Sequence, residues 1–561
     1  MDPDQEGFTE GKNTIRYLNR LHLGIESDKE KNLTILVLFV DFEKAYDSIW
    51  KKGLITKLYQ LKIRGNMLHL IDNFISKREV SLHINGFMGE LRQTGKYGLP
   101  QGAVLSVKLF KIFLMDFASE LDNIPDITKY KFADDGSFKV TGRTTPECLA
   151  TFQNVLKCLD KWAKKWHMKI NCNKDKTEVI CFNTSEKDDN LVPQTFNLGE
   201  NEIQRVKKTK VLGLTMDEEL NYNHHTEEVL RSVRITWVNL CKLSNRQWGL
   251  QQQVMIYLIK TLIISKWSYA AHIWINKENL EKINKLWYKI LKSITGAVYN
   301  IKQEIAELIL GLPPIKVQIQ MNEIKHFLKV NFSVAKDDRY KEFLRAEYNG
   351  KMKTPKIIHS KLKKVFEFLQ WKSSNYPNHF TETEHKIIKE QEYEKLWELS
   401  PKASSYTKNM TDRYVEKVLW KKVLRTQFQM EGYSEVPEPS VKMLPIPNNI
   451  NRNEEILLMS FMYKNNLLNN FLWQQDKVES PLCHKCKVSE ETSEHILLEC
   501  LAIKPELRQN ILKNYVIENQ IQAPHEIDPY IGIINASRNA GFIGDCLDVI
   551  KNSNFRETII L

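Results

Sequence analysis

The sequence predicts an α+β fold: a buried sheet with helices over roughly the first two hundred residues, then a helical region, then a small cysteine–histidine module. Three observations carry this. Residues 33–40, Leu-Thr-Ile-Leu-Val-Leu-Phe-Val, are a nearly unbroken apolar run, too short to cross a bilayer and suited to a strand buried on both faces. Residues 131–140 set two β-forming runs around Ala133-Asp134-Asp135-Gly136, where Asp-Gly is a hairpin signal because both residue types tolerate positive φ. From 145 onward apolar residues recur at helical spacing, first as Leu149, Phe152, Leu156, Leu159, Trp162 and Trp166 within 145–168, then over 223–243, 250–272 and 278–294.

Composition narrows the class. At 561 residues the chain can bury several cores, and about two to four domains are expected. A net charge of +12 is compatible with a polyanionic partner. Twelve tryptophans within 10% aromatic content exclude a disordered chain. Nine scattered cysteines, an odd number, do not form a secreted disulfide framework. The start, Met1-Asp2-Pro3-Asp4-Gln5-Glu6-Gly7, has no basic region and no apolar core, so no signal peptide is expected. With no membrane-length apolar run, the expectation is an intracellular chain with no membrane partner.

Taken in order, residues 15–24 pattern as a helix and 33–40 as the buried strand, which ends in Asp41. A strand that delivers an acid at its C-terminal end places it at a site edge; capping of a following helix is the structural alternative. Residues 44–78 carry helical patterning through Ile49, Leu54, Leu58, Leu61, Leu68, Ile71 and Phe74. Val80, Leu82 and Ile84 alternate before Asn85-Gly86, a hairpin over 79–91. Gly98 and Gly102 flank Pro100-Gln101 in a loop that lets backbone approach a ligand, leading into a helix over 103–119. Asp134 and Asp135 at a hairpin tip are turn formers in isolation; with Asp41 as a third carboxylate they make a site for a hard cation, Mg²⁺ or Mn²⁺.

These boxes also carry a resemblance. Phe39-Val40-Asp41-Phe42-Glu43-Lys44-Ala45-Tyr46-Asp47 resembles motif A of reverse transcriptases from non-LTR (LINE-type, jockey-like) retrotransposons. Gly98-Leu99-Pro100-Gln101-Gly102 with Val104-Leu105-Ser106 and Leu109-Phe110 resembles motif B, and Phe132-Ala133-Asp134-Asp135 motif C. Trp166-His167-Met168-Lys169-Ile170-Asn171 with Lys176-Thr177-Glu178 resembles motif D, and Val211-Leu212-Gly213-Leu214 with Asp217 the strand that follows. The boxes stand in family order, from about Gln5 into the three-hundreds. Two departures are present: Val107 and Lys108 follow Ser106 where the family usually has proline, and two extra residues separate Asn171 from Lys176-Thr177.

The resemblance implies a right-hand polymerase, with an α+β palm and fingers and a helical thumb. It implies RNA-directed DNA polymerase activity, a nucleotidyltransferase using Mg²⁺ or Mn²⁺ on Asp41, Asp134 and Asp135. Its partners would be an RNA template, a DNA primer or target and deoxynucleoside triphosphates, and its place the nucleus. Tyr46 would be the steric gate against a 2′-hydroxyl, Gln101 and Gly102 would lie against the nucleotide and template base, and Lys176 would act as general acid to pyrophosphate. An ordinary core tyrosine, a plain loop and a solvated lysine are the respective structural alternatives. Gln5-Glu6-Gly7-Phe8 resembles the Gln-x-Gly-Phe box, normally well inside the fingers. This implies an N-terminally truncated chain, short of upstream finger strands and an apurinic-type endonuclease; the alternative for this box alone is a polar leader into the first helix.

Downstream, Lys242, Arg246, Lys260, Lys266, Lys285, Lys289 and Lys292 are spaced along a region whose Thr295-Gly296-Ala297 and Gly311-Leu312-Pro313-Pro314 resemble the family's thumb. They could track a duplex backbone or be a solvated face. Residues 336–450 are polar and lysine-rich, with Pro437, Pro439, Pro445 and Pro447 marking a linker. Then Cys483, Cys486, His495 and Cys500, spaced Cys-x₂-Cys-x₈-His-x₄-Cys, suit a structural Zn²⁺; a redox Cys-x₂-Cys pair, or His484 in place of His495, are the alternatives. Glu491–Cys500 also resembles the zinc-binding segment downstream of reverse transcriptase in these elements. The expected organisation is partial fingers and palm over 1–217, thumb-like helices over 218–335, a polar connector over 336–450, a zinc-binding module over 451–515 and a tail over 516–561. A catalytically inactive, retrotransposon-derived RNA-binding protein is the alternative function, and the sequence sets no oligomeric state.

Overall fold

In a computed structural model, residues 2–183, 190–243, 249–296, 301–331, 356–390, 399–431, 433, 435–447, 450, 452–462, 468–475 and 477–552 are described. The chain divides into two compact units: residues 1–225 with 326–363 and 392–398, and residues 226–325 with 364–391 and 399–561.

The first unit is built on helix α1 (Thr14–Glu30), strand β1 (Thr34–Val40), helices α2 (Lys51–Gln60) and α3 (Gly65–Ser76), and strands β2 (Glu79–Val80), β3 (His83–Ile84), β4 (Phe87–Met88) and β5 (Arg92–Gln93). Helix α4 (Val104–Phe113), strands β6 (Ile127–Phe132) and β7 (Asp135–Gly142), helix α5 (Thr145–Trp166) and strand β8 (Glu178–Phe182) follow. Strands β9 (Thr195–Leu198), β10 (Asn201–Arg205), β11 (Lys208–Val211) and β12 (Leu214–Asp217) complete it. The main sheet has the order β6-β7-β1-β8-β10-β9. β1 runs antiparallel to both β7 and β8 and is buried along its whole length, which is why its sequence reads as continuous rather than alternating. Leu36, Leu38 and Val40 join Phe138, Val140, Phe152, Val155, Leu156 and Leu159 in one core, while Ile35 and Val37, also fully buried, point to the opposite face. Burial of each such side chain stabilises the sheet by roughly 1.5–3 kcal/mol.

The hairpin of β6 and β7 buries cations. Lys131 Nζ lies 2.7 Å from Asp2 Oδ2, Lys129 Nζ 3.7 Å from Asp4 Oδ2 and against Asp122, and Lys139 Nζ against Asp28. Arg20 Nη2 reaches Asp4 Oδ1 at 3.1 Å. Lysine enters an interior only when paired, and the acids of the N-terminal segment provide much of that pairing.

Several local expectations change. Residues 43–48 form turns, not the start of a helix: Lys44 is left-handed (φ 45°), and its carbonyl accepts from Asp47 N at 2.8 Å and Ser48 N at 3.0 Å. Asp135-Gly136 is not the hairpin turn. Phe132 pairs with Asp135, so the loop is Ala133-Asp134, with Ala133 left-handed (φ 56°). The segment 211–214 is itself a hairpin, turning at Leu212-Gly213 (φ 44° and 86°) between β11 and β12. Asn85-Gly86 (φ 48° and 86°) does turn the 79–91 hairpin, in the manner favoured for two-residue loops.

The second unit is helical. Its elements include α6 (Asn223–Cys241, all but its first residues), α7 (Gln252–Ile259), α8 (Lys277–Thr295) and α9 (Gln303–Leu310). Trp267 and Trp287, both buried, meet edge to face at 5.4 Å. The stretch read as a polar connector carries helices over Lys356–Asn375, Glu382–Lys389 and Lys408–Met430, with Leu362, Val365, Phe366 and Leu369 buried. The proline-marked linker has no regular structure but is packed: Leu444 N donates to Ile309 O at 3.3 Å, and Leu444 and Ile446 are buried. Within the span read as a tail, helices Pro529–Ala536 and Ala540–Asn552 pack with Pro505–Asn519 around Ile511, Ile531, Ile534, Phe542 and Ile543. Among the described residues no helix is long and apolar enough to cross a membrane.

Candidate active site

Asp41 follows the last residue of β1. Val40 pairs with Gly136, so Asp41 emerges beside Asp135, and Asp134 occupies the adjoining loop. Burial first, then the charge of Asp41, raises the Asp134 carboxyl. Burial, then Asp134 and Asp41, pushes Asp135 up to about 6, with Lys176 acting against the rise. Carboxyls raised in part by neighbouring negative charge favour a cation among them. Among the described residues, the groups whose ligand atoms all lie within 4.8 Å are in the cysteine–histidine module rather than here. An open set of acids is what Mg²⁺ uses when water and substrate phosphates complete its shell.

The segment after α5 holds Asp41. Asn171 Nδ2 donates to Asp41 Oδ2 at 3.1 Å, Asn171 N donates to Asp41 O at 2.8 Å, and Asp41 N donates to Thr177 Oγ1 at 3.2 Å. Lys176 Nζ stands 3.5 Å from Asp41 Oδ2 and is half exposed. Asp41 caps no helix, since the next one after it begins at Lys51.

Tyr46 projects from the 43–48 turn. Its phenol is raised by burial and then by Asp134, which places the ring within the field of the acids. Leu99 N donates to Tyr46 O at 2.9 Å and Gly98 N to Ile49 O at 2.9 Å, so the glycine loop docks on this turn. Gly98 is left-handed (φ 98°), and a Cβ there would meet Asp47 O at 3.4 Å. Gln101 Nε2 donates to Asp47 Oδ1 at 3.3 Å, and Gly102 (φ 84°) faces open space. Gln101 and Gly102 thus reach the site through the Tyr46 turn, without contact to the three acids.

Two supports of the site escape sequence reasoning. Gln5 belongs to a box read as fingers or leader, yet its buried amide bonds both backbone groups of Ala133. Asn171 stands out in the sequence only as part of a motif. The motifs themselves are the signal; each partner lies over a hundred residues away.

The second unit holds the cysteine–histidine cluster. Cys483 Sγ and Cys500 Sγ are 3.9 Å apart, Cys486 Sγ and His495 Nε2 3.2 Å, and the four ligand atoms lie within 4.8 Å of one another. Bonds of about 2.3 Å from a tetrahedral ion set sulfur–sulfur edges near ~3.8 Å, so the set fits a bound metal. Backbone N–H groups of Val488 and Ser489 pull the Cys486 thiol down to about 6, while burial pushes Cys483 up to about 12. His484 Nδ1 pairs with Glu491 Oε2 at 2.6 Å; Cys483, His484 and Glu491 form a second, three-atom grouping.

Residues 1–216 match the family described as reverse transcriptase (RNA-dependent DNA polymerase). They form a reverse transcriptase domain. The chain is 22% identical over 335 residues to the RNA-directed DNA polymerase from mobile element jockey of Drosophila melanogaster, covering 58% of this chain and 36% of that one. It is 23% identical over 331 residues to the probable RNA-directed DNA polymerase from transposon BS of the same species, with the same coverage. It is 25% identical over 291 residues to the jockey polymerase of Drosophila funebris, covering 50% and 31%. The chain spans about a third of the length of these curated relatives. The three acids, Tyr46, the glycine loop and Lys176 all fall inside the reverse transcriptase domain; the cysteine–histidine cluster falls outside it.

Proposed function

We propose that the chain is the RNA-directed DNA polymerase of a non-LTR retrotransposon, extending a DNA primer on an RNA template. The observation that carries this reading is the meeting of Asp41, at the end of β1, with Asp134 and Asp135, at the tip of the β6–β7 hairpin, inside a reverse transcriptase domain. Asp41, Asp134 and Asp135 would hold Mg²⁺ or Mn²⁺; the Asp134 and Asp135 carboxyls, raised by burial first and by neighbouring acids second, are groups that a cation would return to the charged form. Bound there, the ions would sharpen the primer 3′-hydroxyl as a nucleophile and neutralise charge on the leaving pyrophosphate.

The chain's own residues do the rest. Tyr46 selects deoxynucleotides by excluding a 2′-hydroxyl. Lys176, close to Asp41 and open to solvent, can hand a proton to the departing pyrophosphate. Gln101 and Gly102 present the loop that lies against nucleotide and template base. The helices of 218–335 act as a thumb on the duplex, with Lys242, Lys285, Lys289 and Lys292 reaching phosphates; Lys266 donates to Ser232 and Thr236, and Arg246 lies outside the described residues. Zn²⁺ held by Cys483, Cys486, His495 and Cys500 would staple the C-terminal module, and work on chromosomal targets would be nuclear. The test is extension of a labelled DNA primer on an RNA template by purified chain, with deoxynucleotides and Mg²⁺ or Mn²⁺. RNA-dependent product is expected; none with either ion contradicts the proposal.

A further inference from the structure

We infer that Gln5 is a positioning residue for the metal-binding carboxylates: its amide clamps Ala133 and thereby fixes the hairpin tip that carries Asp134 and Asp135. The inference rests on the reading of those acids as metal ligands.

The tip needs support. Its loop is only Ala133-Asp134, closed by the Phe132–Asp135 pair, and Ala133 is left-handed at φ 56°. For a residue with a Cβ that conformation costs about 1–2 kcal/mol, and glycine would be the ordinary occupant. The three nearby acids also repel one another, so an unsupported tip would splay them. The β6–β7 pairing ends at Phe132–Asp135 and does not include Ala133 or Asp134.

Gln5 supplies the missing hold. Its Oε1 accepts from Ala133 N at 2.8 Å and from Gly7 N at 2.8 Å, and its Nε2 donates to Ala133 O at 3.1 Å. Both backbone groups of one left-handed residue are therefore satisfied by one side chain, itself 5% exposed. The chain around Gln5 is fastened along β6: Glu6 N donates to Lys131 O at 2.8 Å, and Lys131 N donates to Asp4 O at 3.3 Å. Gly7 lets the clamp close, since a Cβ there would stand 2.1 Å from Ala133 N. A glutamine needed only for packing would not require this two-point register on the residue immediately before Asp134. Glutamine chemistry suits this role, because an uncharged amide offers acceptor and donor together and adds no charge to the acids' field.

The experiment uses the full chain and Mn²⁺ as the probe, titrated by electron paramagnetic resonance, with hydrogen exchange followed across residues 133–136. The variants are Gln5→Ala, Gln5→Glu and, as control, Asp134→Asn. Gln5→Ala should weaken Mn²⁺ binding on the order of ten-fold, the size typical of losing a partner that orients a ligand, and should speed exchange at 133–136. Gln5→Glu keeps the acceptor for Ala133 N, loses the donor to Ala133 O and adds a charge to the acids' field, so its exchange rate at 133–136, which reports the clamp and not the field, should fall between; that rate carries the test if Gln5→Ala fails to fold. Wild-type Mn²⁺ affinity in both variants overturns the positioning role, even if exchange quickens. Wild-type exchange at 133–136 in Gln5→Ala overturns the clamp itself. Undiminished Mn²⁺ binding by Asp134→Asn overturns the ligand reading beneath the inference, an outcome that the exchange data keep separate from failure of the clamp.

Discussion

The rings of Tyr46 and Phe110 lie face to face, centroids 4.4 Å apart and planes within 4°. Phe110 is fully buried in α4, so the tyrosine is stacked on a fixed surface, as the proposed gate against a larger sugar requires. Tyr46→Val should leave deoxynucleotide incorporation largely intact and raise ribonucleotide incorporation by roughly ten- to a hundred-fold, since a small pocket change is worth about 1–3 kcal/mol. Steady-state incorporation of matched ribo- and deoxynucleotides measures this; unchanged discrimination would reduce Tyr46 to a packing residue.

Glu307 supplies a pH dependence in the helical unit. It is buried, its Oε1 accepts from Trp287 Nε1 at 3.1 Å and Gln303 Nε2 at 2.8 Å, and burial pushes its carboxyl from the ordinary 4.5 to about 8. The folded chain keeps this proton up to about 8 while the unfolded chain loses it near 4.5. The group's contribution to stability is therefore full below about 4.5 and lost as pH rises through about 8, with a slope of up to about 1.4 kcal/mol per pH unit. Glu307→Gln keeps both accepted hydrogen bonds and has no proton to lose. Thermal melts at pH 6 and pH 9 should show a smaller loss in the variant than in the wild type; equal losses would show that Glu307 does not set this dependence.

Zinc binding can be counted directly. Purified chain should carry one zinc, and a Cys483/Cys486/Cys500 triple serine variant none. Cys486→Ser should loosen the module around Ile496 and Leu497, both buried, because so small a core depends on a metal worth on the order of 10 kcal/mol. The acids of the reverse transcriptase domain should be unaffected. Absence of zinc, or its full retention in the triple variant, would refute the site.

What the sequence made legible was chemistry carried by neighbours. The apolar run of β1 reads as a buried strand, and Cys-x₂-Cys with a nearby histidine and cysteine could be weighed as a ligand set by spacing alone. What stayed hidden was set by distant partners. Asp135-Gly136 favours a turn locally, but pairing of Gly136 with Val40 draws both residues into β7, and the left-handed position moves to Ala133, which Gln5 supports. Lys129, Lys131 and Lys139 look like solvent residues until Asp2, Asp4, Asp28 and Asp122 reach them. Leu362, Val365, Phe366 and Leu369 have helical spacing, masked by the lysines between them. The 43–48 turn hinges on the left-handed Lys44, a conformation that no lysine advertises.

The central claim is that Asp41 and Asp134 serve the chemistry and not the fold or the grip on RNA. Primer extension and RNA binding, measured side by side for wild type, Asp41→Asn and Asp134→Asn, test it most directly. The account predicts that each variant loses extension by about a thousand-fold or more, since the ions are worth several kcal/mol in the transition state, while RNA affinity stays nearly unchanged. Normal extension by either variant would contradict the assignment of that residue.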